Sequence, residues 1–228
     1  MGFRIATYNI HRCIGRDGIA DPQRIAGVLA AMDADLVALQ EVAFNPGAPG
    51  DVLQFLAEAA GAKAIAGPTL REAKGRYGNA VLSRIEPREV RRADISVPGR
   101  EPRGALQLVL ETTAATVSVL ATHLGLSVEE RRRQMARLAM LLDESVSEVT
   151  VLLGDFNEWR PWGRSLRDLK GRFAPPATPP TFPSRRPFLA LDRIWVRPDH
   201  RLKTVHVFKD AQAREASDHL PLVADLAL

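Results

Sequence analysis

Five short polar clusters border the apolar runs of this sequence, and each contains residue types that can bind a metal ion or move a proton. Ends of strands are where folded proteins commonly place binding and catalytic groups. Together these clusters supply carboxylates, amides and imidazoles that could meet in one site. The clusters are Tyr8-Asn9-Ile10-His11, Gln40-Glu41, Ala121-Thr122-His123-Leu124, Gly154-Asp155-Phe156-Asn157 and Ser217-Asp218-His219.

The cluster that follows the apolar run Val149–Leu153 combines a carboxylate with an amide. Asp155 and Asn157 are two residues apart, so in an extended segment both side chains point to the same side. There they could hold a water molecule or a phosphoryl oxygen, and oxygen ligands of this kind suit Mg²⁺. An Asx-rich turn without chemistry is the alternative for this motif taken alone.

The cluster near the end of the chain pairs a carboxylate with an imidazole. Asp218 could bind a metal ion or orient a base, and His219 is a base that titrates near neutral pH. Asp192 opens the preceding predicted strand. A buried ion pair with the neighbouring Arg193 is the structural alternative for Asp192.

Glu41 and His123 are weak signals when each is taken alone. Glu41 follows a short buried strand and could simply be solvated at the rim of the core, while a single histidine that ends a strand is more often structural. The whole set is more informative than its members. The sequence also contains one cysteine, Cys13, which we expect to be a buried thiol, and it has no H-E-x-x-H pattern. This inventory favours phosphoryl chemistry with a hard metal ion over zinc proteolysis.

Composition places the chain among globular proteins of one domain. Hydrophobic residues make up 46% and charged residues 25% of the 228 residues, which is ordinary for a folded protein. We expect a single domain over residues 1–228, because the length suits one large core and no linker separates two halves. No apolar run approaches a membrane span, and the N-terminus lacks the apolar core of a signal peptide. A monomer in the cytoplasm is therefore the expectation.

The balance of charge is basic, with a formal net charge of +4. Most of the 31 basic residues are arginines, and arginine suits bidentate recognition of phosphate. Codon usage in a GC-rich genome would produce the same bias, so the composition alone does not identify a phosphate-binding protein.

Periodicity predicts the elements that must position these clusters. A helix should begin at Pro22 behind the capping residue Asp21, since apolar residues recur on one face after it. Further helices are expected over Val52–Ala60 and after Ser127, where Glu130 would complete a capping box. Strands are expected over Phe3–Ile10, Leu36–Leu39, Lys63–Ala66, Asn79–Ser83, Ala105–Leu110, Thr116–Ala121, Val149–Leu153, Ala190–Val196, Thr204–Phe208 and Leu220–Leu226, with a loop over Pro175–Pro180.

Several of these strands follow one another directly, without a helix between them. This order favours an α/β sandwich of two sheets over a uniformly alternating βαβ fold. A dinucleotide-binding fold is disfavoured further, because no G-x-G-x-x-G pattern follows a strand.

The motifs and their order resemble those of the endonuclease/exonuclease/phosphatase superfamily, whose members include DNase I-like nucleases, neutral sphingomyelinase-like enzymes and inositol polyphosphate phosphatases. The resemblance runs from Ala6 to Leu222 and implies a four-layer α/β sandwich with two packed mixed β-sheets flanked by helices. The motifs are Thr7-Tyr8-Asn9-Ile10-His11, Leu39-Gln40-Glu41-Val42, Tyr77-Gly78-Asn79-Ala80-Val81-Leu82-Ser83-Arg84, Ala121-Thr122-His123-Leu124, Gly154-Asp155-Phe156-Asn157, Leu191-Asp192-Arg193-Ile194 and Ser217-Asp218-His219-Leu220-Pro221.

The resemblance implies a metal site and two substrate contacts. Glu41 would be the principal ligand of Mg²⁺, with Asn9 beside it and Asp218 contributing to a metal site, and Mn²⁺ could substitute for Mg²⁺. Whether one or two ions bind is left open. Asn79 and Arg103 would contact the substrate, although a solvated loop arginine is the equal alternative for Arg103.

The resemblance also implies the catalytic groups. Asp155 and Asn157 would position the attacking water and the scissile phosphate. His219 would act as acid or base at the phosphate, with Asp192 orienting it. His123 would contact a phosphate oxygen, which places the chain nearer to the DNase I and sphingomyelinase branches than to the abasic-site endonucleases.

Two departures from the family pattern bear on this assignment. Some relatives carry aspartate where this chain has His11, which implies a different metal coordination from the first strand. The glutamate that partners the histidine in nucleases is not evident between Arg76 and Asn79, which leaves the protonation state of His123 open.

The predicted activity is Mg²⁺-dependent hydrolysis of a phosphate ester, in the first place a phosphodiester of nucleic acid. A phospholipid or small-molecule phosphodiesterase or phosphatase is the alternative, and a non-catalytic binding module is a remote one. If nucleic acid is the substrate, we expect little sequence specificity, because basic residues at the expected mouth would bind phosphates whatever the base. These residues are Arg71, Lys74, Arg76, Arg100, Arg103, Arg185 and Arg186.

Overall fold

A computed structural model describes residues 2–73, 75–160, 163–169, 171–174 and 178–228 of the chain. Lys74 of the expected basic mouth, and residues 175–177 of the expected loop, lie outside the described residues. The helices are α1 (Pro22–Met32), α2 (Val52–Ala59), α3 (Val128–Asp143) and α4 (Ala211–Ala216). The strands are β1 (Gly2–Asn9), β2 (Leu36–Phe44), β3 (Lys63–Glu72), β4 (Gly75–Ser83), β5 (Pro87–Asp94), β6 (Gly104–Glu111), β7 (Thr116–His123), β8 (Val149–Asp155), β9 (Asp192–Arg197), β10 (Leu202–Val207) and β11 (Leu222–Ala227).

The strands form two mixed sheets. The first has six strands in the order β10-β11-β1-β2-β4-β3, and the second has five in the order β5-β6-β7-β8-β9. Each sheet contains one parallel pair, β1 with β2 and β7 with β8, among antiparallel neighbours. The predicted fold class, a four-layer α/β sandwich with two packed mixed β-sheets flanked by helices, is confirmed.

Three apolar clusters hold the four layers together. The central cluster lies between the two sheets and contains Ile5, Val119 and Val151. A second cluster packs α1, α2 and α4 against the outer face of the first sheet. A third packs α3 and the 3₁₀ turn Arg164–Leu169 against the outer face of the second sheet. Central strands such as β1, β2, β7 and β8 therefore alternate between two apolar environments, as the period of two in side-chain direction requires.

The helices begin where their capping residues predict. Asp21 accepts a hydrogen bond from the backbone nitrogen of Gln23, with Pro22 in the first turn of α1. Ser127 accepts one from the backbone nitrogen of Glu130 at the start of α3. The Glu130 carboxylate, however, accepts a hydrogen bond from Gln134 one turn later, so only the Ser127 half of the predicted capping box is observed.

Several element boundaries differ from those the sequence predicts. The strand expected over Leu36–Leu39 continues to Phe44, so Glu41 lies within β2 and not after it. The strand β5 was not anticipated, because Pro87–Asp94 is rich in charged residues and lies at a sheet edge with little burial. Helix α4 was also missed, since six residues show too little periodicity. No helix in the described part of the chain is both long and apolar enough to cross a bilayer.

At one end of the sandwich, the face between the sheets changes from apolar to polar. Along β7, the inward residues Val117, Val119 and Ala121 belong to the central cluster, and His123 is the next residue with the same direction. The same two-residue alternation places four further polar residues on the face between the sheets. They are Asn9 of β1, Asn79 of β4, Asp155 of β8 and Asp192 of β9. Polar groups from both sheets thus converge at one end of the apolar core.

Candidate active site

Strand register places three of these polar residues side by side in the second sheet. His123 pairs with Asp155 across the parallel strands β7 and β8, and Asp155 pairs with Asp192 across the antiparallel strands β8 and β9. Asp155 is the middle member and is almost fully buried. A carboxylate in the centre is consequently bordered by an imidazole on one side and a second carboxylate on the other.

A glycine allows β7 and β8 to approach each other next to this row. Gly154 has a φ of +145°, and a Cβ atom at this position would lie 1.9 Å from the backbone oxygen of Thr122. Any other residue would therefore clash with the main chain of the neighbouring strand. Gly154 thus fixes the close pairing that brings His123 and Asp155 together.

The first sheet contributes Glu41 through an irregularity in β2. The register of β2 with β4 shifts between Leu39 and Val42, where one extra residue is inserted. Both Leu39 and Val42 face the outer apolar cluster, and Glu41 adopts a left-handed backbone with a φ of +58°. This conformation costs about 1–2 kcal/mol for a residue with a Cβ atom. Such strain is typical of positions where the fold directs a functional side chain.

Asn9 links the two sheets by bridging their carboxylates. Its Nδ2 donates to Glu41 Oε1 at 3.0 Å and to Asp155 Oδ2 at 3.1 Å. The backbone nitrogen of His11 donates to Asn9 Oδ1 at 3.1 Å, which fixes the orientation of the amide. Ser217 donates to the backbone oxygen of Asn9 at 2.8 Å. Asn9 therefore presents a donor, and not its oxygen, to the two carboxylates.

Asp155 and Asn157 both lie in the site, but not on one extended segment as the spacing suggested. Strand β8 ends at Asp155, and Asn157 turns the chain with a φ of +49°. Its backbone nitrogen donates to Asp155 Oδ1 at 2.9 Å. Its side-chain Nδ2 donates to the backbone oxygen of Leu124 at 2.8 Å and lies 3.2 Å from His123 Nε2. The turn folds the amide back over the end of β7.

His219 and Asp192 form a buried couple. His219 Nδ1 lies 2.8 Å from Asp192 Oδ2, which also accepts a hydrogen bond of 2.6 Å from Thr181. Burial alone would lower the pKa of His219, but the charges of Asp192 and Asp155 and the hydrogen bond to Asp192 outweigh it and raise the pKa to about 10. His219 Nε2 faces Asp155 Oδ2 at 3.8 Å. At neutral pH this imidazole is therefore a cation.

His123 experiences the opposite environment. Its Nδ1 lies 3.1 Å from Arg103 Nη1, and its Nε2 lies 3.6 Å from Asp155 Oδ2. Burial lowers the pKa of His123 to about 3, because it outweighs the attraction of Asp155, and the charges of Arg103 and His219 act in the same direction as burial. This direction favours the neutral form of His123, whose protonation state the missing glutamate left open.

The buried ion pair considered for Asp192 is not what the structure shows. Arg193 points away from Asp192, as successive residues of a strand must. Its Nη2 donates to the backbone oxygens of Glu158 and Arg160 at 2.6 Å and 3.2 Å. It thereby fixes the loop after Asn157, while Asp192 is left to bond His219.

Three of the predicted site residues lie at the margin of this arrangement. Asp218 is 41% exposed and faces His11, whose Nδ1 is 3.9 Å from its Oδ1. Asn79 is buried and donates to the backbone oxygen of Gly104 at 3.1 Å, which ties the two sheets together. Arg103 is only 8% exposed, unlike the other described arginines of the expected mouth. Those exposed arginines are Arg71, Arg76, Arg100, Arg185 and Arg186.

Two polar residues of the site were given no role by the sequence. Thr181 bonds Asp192, and the Ser217 hydroxyl bonds the backbone of Asn9. Ser217 lies inside a recognised motif, so its position could have suggested a role. Thr181 lies in a proline-rich loop without any periodic signal. Phe182, next to it, packs its ring 4.9 Å from that of His219.

The site offers oxygen ligands that suit a hard metal ion. Among the described residues, Asp155, Asp192 and His219 have ligand atoms that all lie within 4.8 Å of one another. Asp192 Oδ2 is already engaged by His219 and Thr181. The carboxylates of Glu41 and Asp155, both held by Asn9, form a second group. Carboxylate and amide oxygens fit Mg²⁺ or Mn²⁺ better than a soft ion.

Comparisons with known proteins point to one family and one fold. A model of the Endonuclease/Exonuclease/phosphatase family matches residues 6–219. The uncharacterized protein YbhP of Escherichia coli K12 is 32% identical over 251 residues, covering 100% of this chain and 97% of its own. A solved endonuclease/exonuclease/phosphatase structure from Beutenbergia cavernae has 27% identity and a TM-score of 0.80, covering 100% of this chain and 72% of that one.

Two further solved structures have assigned names. TDP2 of D. rerio, complexed with a single-strand DNA product, is 17% identical with a TM-score of 0.75, and the match covers 100% of this chain and 99% of that one. A mannosyl-6-phosphatase of Bacteroides thetaiotaomicron is 18% identical with a TM-score of 0.75, covering 99% and 100%. At these identities the likeness shows the shared fold alone.

Proposed function

Because the chain belongs to the Endonuclease/Exonuclease/phosphatase family, we propose that it hydrolyses phosphate esters with a bound divalent metal ion, and that its substrates are phosphodiesters. One observation carries the proposal. Asp155 Oδ2 lies 3.6 Å from His123 Nε2 and 3.8 Å from His219 Nε2, and Asn9 connects it to Glu41. A carboxylate, two imidazoles and a second carboxylate thus surround one space at the end of the core.

Glu41 is the residue that we propose as the principal ligand of Mg²⁺, with Mn²⁺ able to substitute. Asn9 holds its Oε1 in place, and the half-exposed Asp218 contributes from the margin. When bound, the ion would neutralise negative charge on the phosphoryl oxygens. The all-oxygen donor set of the two carboxylates supports this choice of ion.

Asp155 is the group that we propose to orient the attacking water. Its Oδ2 faces both imidazoles, and the backbone nitrogen of Asn157 donates to its Oδ1. The carboxylates around His219 raise its pKa, which supports a role for His219 as a hydrogen-bond donor or acid at the phosphate. Asp192 orients His219 through Nδ1, which leaves Nε2 directed to the substrate.

His123 and Asn157 complete the proposed arrangement on the other side of Asp155. Both direct nitrogen atoms to the place where negative charge grows during in-line attack, and donors fixed in advance lower the barrier most. We further propose that residues 1–228 form a single domain that acts as a monomer in the cytoplasm. The central apolar cluster shared by both sheets supports the single domain.

A phospholipid phosphodiesterase is the second candidate, because apolar side chains are exposed on loops at the site. Leu126 follows β7, Trp159 follows β8, and Phe188 precedes β9, all at the end of the sheet that carries His123, Asp155 and Asp192. Trp159 is 52% exposed and Phe188 is 70% exposed. Exposed aromatic groups beside a phosphate site would suit the interface of a lipid membrane as well as a nucleobase.

The test is a screen with Mg²⁺ on DNA, RNA, phospholipid vesicles and phosphomonoesters. We expect hydrolysis of at least one phosphodiester, loss of that activity in EDTA, and recovery with Mg²⁺ or Mn²⁺. The variant Trp159→Ser should lower turnover on vesicles selectively if the lipid candidate is right. Undiminished activity after exhaustive chelation would refute the metal-dependent mechanism.

A further inference from the structure

Arg103, and not a carboxylate, is the side chain that contacts His123 Nδ1. Its Nη1 lies 3.1 Å from His123 Nδ1, and its Nη2 lies 3.3 Å from the half-exposed carboxylate of Glu101. Arg103 and His123 are both more than nine-tenths buried. The imidazole is thus separated from the nearest carboxylate on this side by a guanidinium group.

A guanidinium can only donate hydrogen bonds, because it carries no lone pair available for acceptance and keeps its proton at any ordinary pH. The contact with Arg103 therefore requires His123 Nδ1 to be the acceptor. A neutral imidazole carries one proton on one of its two nitrogens. The hydrogen atom of His123 must then reside on Nε2, the nitrogen that faces the site.

We propose that Arg103 is a positioning residue that fixes His123 as the neutral tautomer with its hydrogen on Nε2, so that His123 is a hydrogen-bond donor to a phosphoryl oxygen. Asn157 Nδ2 lies 3.2 Å from His123 Nε2. In this tautomer His123 Nε2 and Asn157 Nδ2 both carry hydrogen, so neither can accept a hydrogen bond from the other. The carboxylate oxygen Asp155 Oδ2 lies 3.6 Å from Nε2, beyond a normal hydrogen bond. His123 Nε2 and Asn157 Nδ2 therefore form a two-donor binding site for one anionic oxygen atom.

This inference deepens the proposed function and, for its consequence, rests on it. A neutral imidazole held in this way binds an oxygen but does not transfer a proton to the leaving group. The leaving group must then receive its proton from another group, and His219, whose Nε2 lies 3.8 Å from Asp155 Oδ2, is the second imidazole of the site. Arg103 acts through His123 and not through its own contact with the substrate.

The tautomer can be measured without any substrate. In protein labelled with ¹⁵N-histidine, at neutral pH and in EDTA, two-bond ¹H–¹⁵N spectra distinguish protonated from bare ring nitrogens. We expect His123 to show a bare Nδ1 and a protonated Nε2. In Arg103→Met, which removes the donor, the His123 signals should change to a mixture of tautomers or to hydrogen on Nδ1. Arg103→Lys, which restores a donor, should recover the wild-type pattern. His123→Asn identifies the signals.

Turnover supplies a second readout. On the phosphodiester that the wild type cleaves, Arg103→Met should lower kcat by about 10- to 100-fold, as expected for loss of one fixed donor, and change KM less than about threefold. Arg92 lines the same surface groove as Arg103, but its Nε donates to the backbone oxygen of Ala66 at 2.8 Å and not to a residue of the site. Arg92→Met is therefore the matched control and should keep wild-type kcat.

Each outcome bears on the proposal separately from the proposed function. Hydrogen on Nδ1, or a charged imidazole, in the wild type would overturn it, and so would a wild-type tautomer in folded Arg103→Met. If Arg103→Met does not fold, the wild-type and Arg103→Lys spectra still decide the question. Absence of activity on every phosphate ester, with the expected tautomer present, would refute the proposed function and leave the assignment of Arg103 intact.

Discussion

The two buried histidines of the site have pKa values shifted in opposite directions. His219 and His123 are both buried, and both direct Nε2 to the same oxygen of Asp155. The Nδ1 of His219 meets a carboxylate, whereas that of His123 meets a guanidinium. The pKa of the first is raised to about 10, and that of the second is lowered to about 3.

The difference shows that burial lowers the pKa of a histidine unless nearby carboxylates outweigh it. Burial disfavours the charged form in both cases, and only the carboxylates around His219 overcome it. Pairs of groups whose pKa values are driven apart are typical of sites that need both an acid and a neutral donor. The following predictions test or sharpen this contrast.

The largest effect is expected for Asp155→Asn, which removes the charge that both imidazoles face. Loss of the proposed water-orienting carboxylate should lower kcat by about 10³-fold or more, within the upper range for a positioned acid or base. The measurement is single-substrate kinetics with Mg²⁺, with circular dichroism to confirm folding. A folded variant within tenfold of wild-type turnover would show that Asp155 is not the central group.

His219→Ala removes the charged imidazole and should lower kcat by about 10²–10⁴-fold. The fold should survive, because His219 lies at the polar end of the core and not within an apolar cluster. His219→Gln, which keeps a polar group of similar size, is the matched variant and should be comparably slow because glutamine carries no proton to give. Near wild-type turnover in either folded variant would make His219 a structural residue.

Asp192→Asn removes the carboxylate next to His219 Nδ1 and should make the surroundings of His219 more like those of His123. Without the carboxylate on Nδ1, the pKa of His219 falls, so the alkaline limb of the kcat profile should move to lower pH. At neutral pH we expect a decrease of about 10- to 100-fold in kcat. The measurement is the pH dependence of kcat. An alkaline limb that stays in place would show that Asp192 does not set the charge of His219.

Glu41→Gln lies outside both histidine environments and should affect the metal ion selectively. The substitution conserves shape but removes the charge of the proposed main ligand. The Mg²⁺ concentration that gives half-maximal rate should rise by about tenfold or more, since hard ions prefer carboxylates to amides. The His123 and His219 spectra in EDTA should stay as in the wild type. An unchanged Mg²⁺ requirement would place the ion elsewhere.

The smallest effect concerns stability. The pKa of His219 is raised above its ordinary 6.5, so its contribution to the free energy of unfolding is fully present below about pH 6.5 and is lost as pH rises to about 10. The pKa of His123 is lowered, so the folded state excludes a proton that the unfolded chain binds, and stability falls as pH decreases from 6.5 towards 3.

The free energy of unfolding, measured by urea unfolding in EDTA from about pH 3 to about pH 10, checks the contributions of both histidines. Asp192→Asn should reduce the alkaline loss of stability, and His123→Asn should reduce the acid loss without changing the alkaline one. Identical pH profiles for the wild type and both variants would mean that neither histidine differs in charge between the folded and unfolded states.

The sequence by itself determined much of the framework. Alternation and capping residues predicted α1, α2, α3 and most of the strands, because each depends on neighbours within a few residues. The ordered motifs predicted the family and the two-sheet fold. They also predicted that Asn9, Glu41, Asp155 and His219 would share a site, and the structure brings these four together.

Only the tertiary structure decided the properties that depend on residues distant in sequence. The edge strand β5 has no apolar signal of its own and forms because β6 supplies its hydrogen bonds. The bulge that directs Glu41 arises from the pairing of β2 with β4, which no local pattern in β2 reveals. The contact of Arg103 with His123 joins residues from different segments across the second sheet. The charge of each histidine is set by such contacts, because the pKa of a buried group depends on which charges surround it in space.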